Sequence, residues 1–148
     1  MKIMQISLFL ENKPGRLSVP CKVLSEAGVN IVTLSLADTQ QFGILRLIVK
    51  EPLRAKAALE QAGCVVNLTE VVAIEVPDEP GGLARVLEAM DQRKINVEYM
   101  YAFTFRGQQD RAVLVFRFED PDHAITQLQA AGIANVIAPV ELYERMRK

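Results

Sequence analysis

The chain of 148 residues sets 17 basic against 18 acidic side chains, a net charge of −1, which argues against a partner held mainly by charge, such as a nucleic-acid backbone. Half of the residues are apolar and 24% are charged, an ordinary globular balance that suffices for one domain or two very small ones. No apolar run reaches the length of a membrane span, and the N-terminus enters a strand pattern at once without a charged leader or cleavage site, so we expect no membrane association, no export and a cytoplasmic location. Cys21 and Cys64 are not spaced as a metal or redox pair and read as two buried free thiols.

In chain order, Ile3–Phe9 has the alternation of a strand, with Ile6, Leu8 and Leu10 on one face. A Pro-Gly turn at Asn12–Arg16 leads to a helix running to Ala27, with Leu17, Cys21, Leu24 and Gly28 along one side. Pro20 falls inside that helix and predicts a kink. Two strands follow, Ile31–Ala37 and Phe42–Val49, joined by the polar Asp38-Thr39-Gln40-Gln41. Pro52 opens a second helix that ends at Gly63, and Val65–Leu68 is a short strand. The order is then written again: strand Val71–Val76, helix 81–93 carrying Leu83, Val86, Leu87 and Met90, strands near Asn96–Phe105 and Arg111–Phe118, helix 121–131, and strand Val136–Ile137. Leu142, Tyr143 and Met146 suggest a short terminal helix.

The repetition lies in turn and core residues. Pro14, Gly15, Leu17 and Asn30 recur at a constant offset as Pro80, Gly81, Leu83 and Asn96. Pro52, Ala55, Leu59, Ala62 and Gly63 recur as Pro121, Ala124, Leu128, Ala131 and Gly132, after a longer hairpin loop at Arg106–Gln109. Two β-α-β-β-α-β runs predict an α+β fold of two ferredoxin-like units, residues 1–69 and 70–148, the second with a short C-terminal helical tail. Each would form an antiparallel sheet with its helices on one face. Each alone has only a modest core, so we expect them packed side by side across the short linker Asn67–Glu70.

The repeated turn suits an anion. A helix N-terminus leaves backbone N–H groups unpaired and partly positive, and glycine lets a ligand carboxylate approach the backbone. Asn12 can donate and accept hydrogen bonds at once, whereas the matching Asp78, when ionised, only accepts and suits an ammonium group. The bland alternative is that Asn-x-Pro-Gly and Asp-x-Pro-Gly are common turns with no ligand at all. His123, the only histidine, reads as a solvated first-turn residue. No catalytic constellation, cofactor motif or metal set appears, so we expect neither an enzyme nor a bound cofactor. RNA-recognition domains share the element order, but Phe42, Phe116 and Phe118 lack their glycine-aromatic signature and the chain is not basic.

Leu10-Glu11-Asn12-Lys13-Pro14-Gly15-Arg16-Leu17, followed by a helix and then Gly28-Val29-Asn30-Ile31, resembles an ACT domain, a small ligand-binding module of amino-acid metabolism with the βαββαβ fold. The stretch is similar to the serine-sensing ACT domain of phosphoglycerate dehydrogenase. The resemblance implies an amino-acid-binding regulatory protein that takes a free amino acid as effector at an interface between ACT domains, and a homodimer is the expected assembly. It implies a site at Asn12, Lys13, Pro14, Gly15, Arg16, Leu17, Asn30 and Ile31, with Asp78, Glu79, Pro80, Gly81, Gly82, Leu83, Asn96 and Val97 as the second-half counterparts. Leu10 and Val76 stand where the serine sensor has histidine, and Asp78 replaces Asn, so neither serine specificity nor equivalence of the two halves carries over. The alternative role is the regulatory subunit of an amino-acid biosynthetic enzyme, as in acetolactate synthase. A hetero-complex recovered from the native cell distinguishes the two.

Overall fold

Alternating burial along β1 (Ile3–Glu11) sets Ile6 and Leu8 into a core and leaves Phe9 exposed, as a period of two requires. The computed structural model describes residues 1–38, 40–132 and 135–146; Thr39 of the predicted hairpin loop lies outside them. After β1 come α1 (Ser18–Glu26), β2 (Ile31–Asp38), β3 (Phe42–Val49), α2 (Pro52–Gln61) and β4 (Val66–Pro77). Next are α3 (Gly82–Gln92), β5 (Val97–Phe103), β6 (Arg111–Phe118), α4 (Pro121–Ala130), β7 (Asn135–Ile137) and α5 (Pro139–Arg145).

The chain divides into two compact units, one of Met4–Thr69 and one of Met1–Ile3 with Glu70–Lys148. In the first unit β3 lies between β2 and β1, antiparallel to both. Leu24 of α1 and Ala55 and Leu59 of α2 pack with Ile6, Leu8, Leu45, Leu47 and Val49, so both helices cover one face. In the second unit the order is β5-β6-β4-β7, again antiparallel. Val86 and Met90 of α3 and Ala124, Ile125 and Leu128 of α4 cover Val72, Ile74, Val76, Leu114, Phe116 and Phe118. Each fully buried Leu, Ile or Phe contributes about 2 kcal/mol by leaving water. The architecture is the α+β pair of βαββαβ units expected from the sequence. Its regularity extends to a register shift near the start of β2, between Ile31 and Thr33, and of β5, between Val97 and Tyr99.

Four local expectations need correction. Asn67–Glu70 is not a linker: β4 runs unbroken through it, the last strand of one run and the first of the next. Its polar residues sit on a strand, where alternation rather than a break explains them. Pro20 does not kink α1, because the helix begins only at Ser18. Pro20 is thus in the first turn, where its missing N–H would have had no intrahelical partner. Cys21 and Cys64 are free thiols but only half-buried. Met1–Ile3 groups with the second unit, where the Lys2 ammonium lies 2.8 Å from Glu70 and 3.1 Å from Asp122.

The terminal helix is tied to the second sheet by charge. Glu75, on the β4 face turned away from Val72, Ile74 and Val76, is 8% exposed. It accepts hydrogen bonds from Arg111 of β6, at 3.1 Å, and from Arg145 of α5. Arg145 also pairs with Glu141 and lies 5.7 Å from the centre of the Phe105 ring. Burial pushes the Glu75 carboxyl up, but the bonds from Arg145 and Arg111 outweigh that and hold it below its ordinary value of 4.5. A depressed carboxyl stabilises the fold above the unfolded value and loses that contribution as pH falls through the folded one. Stability should therefore drop on acidification below about pH 4.5, and more steeply in the wild type than in Glu75→Gln, as read by denaturant titration across pH. Arg145→Ala should cost about 2 kcal/mol at neutral pH by depriving a buried carboxylate of one partner. An equal pH dependence in wild type and Glu75→Gln would contradict this account of the pair.

Candidate functional site

β1 carries the chain to Asn12, whose backbone N–H donates to the Gln41 carbonyl at 3.0 Å and so extends the ladder by one residue. The chain then reverses. Lys13-Pro14-Gly15-Arg16 is a type II turn: proline fixes the second position, Gly15 has φ +84°, and the Arg16 N–H donates to the Lys13 carbonyl at 3.3 Å. Glu79-Pro80-Gly81-Gly82 does the same, with Gly81 at φ 88°, ψ −10° and the Gly82 N–H on the Glu79 carbonyl at 3.0 Å. Any other residue at Gly15 or Gly81 would hold a strained left-handed backbone.

The two turns then part. A Cβ on Gly82 would lie 2.3 Å from the Pro77 carbonyl oxygen, so only glycine lets α3 start directly from the turn. Arg16 stands at the matching place, and α1 starts later, at Ser18, whose hydroxyl donates to the Gly15 carbonyl at 2.9 Å. Neither helix has a side-chain N-cap, which leaves N–H donors for a ligand or water. In the second unit Arg85 pairs with Glu79 at 2.6 Å, and its other guanidinium nitrogen would be 3.2 Å from a Cβ at Gly81. That guanidinium covers the turn. The first unit has Val19 at the matching position.

Beside the first turn is a cleft of about 570 Å³, lined by Leu10, Glu11, Asn12, Lys13, Pro14, Gly15, Leu17, Leu36, Asp38 and Gly43. Strand register explains it. Leu10, Gly43 and Asp38 lie abreast on β1, β3 and β2, and Leu8, Leu45 and Leu36 form the next row. Gly43 has no side chain, and Leu36 lies over it: a Cβ there would come 3.2 Å from Leu36 Cδ1. At the rim the Glu11 carboxylate lies 3.3 Å from Lys13 and 3.8 Å from Arg16. The Asp38 carboxylate forms no ion pair among the described residues, and Asn12 is exposed.

Of the expected residues, Asn12, Lys13, Pro14, Gly15 and Leu17 line this cleft, and Arg16 stands next to it. Asn30 and Ile31 do not. β1 and β2 run parallel on either side of β3, so Asn12 follows the end of one and Asn30 precedes the start of the other. The span of β3 from Phe42 to Val49 separates them by about 23 Å at 3.3 Å per residue. Asp78 and Asn96 are likewise at opposite ends of the second sheet. Asn96 lines a smaller recess of about 320 Å³ with His123 and Asp120, where the Asp120 carboxylate caps α4 by accepting from the His123 N–H at 3.1 Å. Asp78, Glu79, Pro80, Gly81 and Leu83 are exposed, Gly82 is buried, and Val97 is half-buried in β5. Sequence reasoning did not place Leu36, Asp38 and Gly43 at the site, because only the β2-β3-β1 order brings them to the turn. Among the described residues no group of His, Cys, Asp and Glu could hold a metal ion, and no helix is long and apolar enough to cross a membrane.

Two β-α-β-β-α-β runs, each with a Pro-Gly turn leading from its first strand to its first helix, define a tandem of small βαββαβ modules. The model of the ACT domain pair matches residues 1–140, and the chain belongs to that family. Protein BT0572 from Bacteroides thetaiotaomicron is similar over 97% of this chain and 96% of its own, at 38% identity and a TM-score of 0.89. The ligand-free regulatory subunit of aspartate kinase from Thermus thermophilus shares the fold at 16% identity and a TM-score of 0.62, over 86% of this chain and 91% of its own. The same subunit from Thermus flavus does so at 17% identity and a TM-score of 0.61, with the same two coverages of 86% and 91%. No curated protein matches the sequence.

The contrast between Gly82 and Arg16 gives a direct test. Gly82→Ala should destabilise the protein by about 2 kcal/mol, because the new Cβ displaces backbone rather than a flexible side chain. That is roughly 5 °C in the melting midpoint of a chain this size. Arg16→Gly should change it far less. Calorimetric melting of both variants checks this, and an unchanged midpoint for Gly82→Ala would refute the proposed close approach.

Proposed function

We propose that the chain is an amino-acid sensor whose effector binds at the Pro-Gly turn of the first unit. The observation that carries this is the cleft itself. It brings Asn12, Lys13 and Asp38 around one concave site beside an uncapped helix start, the groups needed to hold a carboxylate and an ammonium together. The α-carboxylate would take the Lys13 ammonium and free backbone N–H groups, and the α-ammonium would take Asp38 and the Asn12 side-chain oxygen. The second turn is read as structural, because Arg85 and Glu79 occupy it.

Since Asn12 and Asn30 face opposite ends of one sheet, a single ligand touches both only when Asn30 comes from another copy. The outer strand β2, with Leu34 and Leu36 about half exposed, supports such pairing. The proposed assembly is therefore a homodimer that tightens on effector binding, and closure around the ligand is the signal.

A thermal-shift panel of the twenty amino acids tests the reading. An effector at 100 times its dissociation constant adds about 2.7 kcal/mol, roughly 5–10 °C here. Asn12→Ala should abolish the shift and Asp78→Ala should leave it. A shift that survives Asn12→Ala but not Asp78→Ala moves the site to the second unit, and a panel with no responder removes the sensor reading.

A further inference from the structure

We infer that the effector of the first-unit cleft is an amino acid with an aliphatic side chain, a proposal that rests on the sensor reading and specifies its ligand. Part of the cleft wall is hydrocarbon. Leu17 and Leu36 are 43% and 49% exposed there, and Leu10 and Pro14 complete the wall. Half-exposed leucines on two different elements, converging on one concavity, are covered most favourably by another apolar group. Gly43, which has no side chain, lets Leu36 lie over the sheet at this row, since a Cβ there would come 3.2 Å from Leu36 Cδ1.

The charges argue the same way. Two carboxylates, Glu11 and Asp38, line the cleft against one lysine, Lys13, and Glu11 is already engaged by Lys13 and Arg16. The remaining Asp38 serves the α-ammonium. A second carboxylate on the ligand side chain would meet like charge, and a basic side chain would have to compete with Lys13 and Arg16 for Glu11 or with the α-ammonium for Asp38. A hydroxymethyl side chain would leave its hydroxyl facing hydrocarbon, which costs binding.

The second unit keeps Leu83 and Pro80 where the first has Leu17 and Pro14 but differs at three other matching positions. Leu36 is matched by Ala102, Gly43 by Ala112 and Leu10 by Val76, and strand register puts Val76 opposite Ala112 and Ala102 opposite Leu114, as in the first unit. Ala102 and Val76 thus leave a smaller apolar wall at this row than Leu36 and Leu10 do. The row beside the turn is therefore more apolar in the first unit.

The test is isothermal titration of the full chain with leucine, isoleucine, valine, alanine, serine, aspartate and lysine. Each methylene moved into an apolar site strengthens binding about fourfold, so leucine should bind at least about tenfold more tightly than alanine and up to roughly 60-fold at full burial. Serine, aspartate and lysine should bind more weakly than valine. Leu36→Ala, a change at a half-exposed position, should weaken leucine about tenfold and leave alanine nearly unchanged; Gly43→Ala should likewise penalise leucine more than alanine. Tight, Asn12-dependent binding of serine, aspartate or lysine with weak aliphatic binding overturns the ligand class and leaves the sensor reading intact. Leucine binding unaffected by both Leu36→Ala and Gly43→Ala also overturns it. If none of the seven binds, the proposal fails, and the twenty-member panel decides whether the sensor reading fails with it.

Discussion

The structure depends on a single backbone constraint used twice. Each first strand must turn into a helix that lies back across its own sheet, and the chain does this with a type II turn whose third residue has positive φ. Gly15 and Gly81 supply that conformation without a steric penalty, and Pro14 and Pro80 fix the residue before it. Once the turn is set, α1 and α3 are aimed at the sheet, and the apolar stripes of Leu24 and of Val86 with Met90 find their partners. The same turn leaves the helix start without a side-chain cap, in the first unit at the rim of the cleft.

What separates the halves is small in sequence and large in consequence. Arg16 rather than Gly82 holds α1 back from the turn, Gly43 rather than Ala112 leaves room for Leu36 over the sheet, and Val19 rather than Arg85 leaves the turn uncovered. Of these six positions only Ala112 packs against a core cluster, and the fold tolerates the differences. A duplicated module can in this way keep one copy open to a ligand and close the other with its own side chains. The second copy carries a different burden: its outer sheet face holds Glu75 under α5 through Arg145 and Arg111.

Most of the fold was legible because periodicity and punctuation agreed. Pro52 and Pro121 open their helices, Gly63 and Gly132 end them, and alternation at Ile6–Leu8 marks a strand. The errors arose where a local signal has two meanings. Polar Asn67–Glu70 reads as a linker until pairing shows a continuous strand, and Pro20 reads as a kink until the helix start is located at Ser18. Half of the candidate site was legible too, since Asn12–Leu17 is contiguous in sequence. Leu36, Asp38 and Gly43 were not, because their nearness to the turn depends on the order of strands. The same order places Asn30 at the far end of the sheet from Asn12, a separation that no local pattern reports.

The central claim is that one turn is open to an amino acid and its copy is closed. The number of effector molecules bound per chain at saturation, measured by calorimetric titration of wild type and Arg85→Ala, tests it most directly. The account predicts one per chain in both, because removing the guanidinium exposes the second turn but leaves Ala102 and Val76 where the first unit has Leu36 and Leu10. Two equivalent sites per chain in the wild type would contradict it.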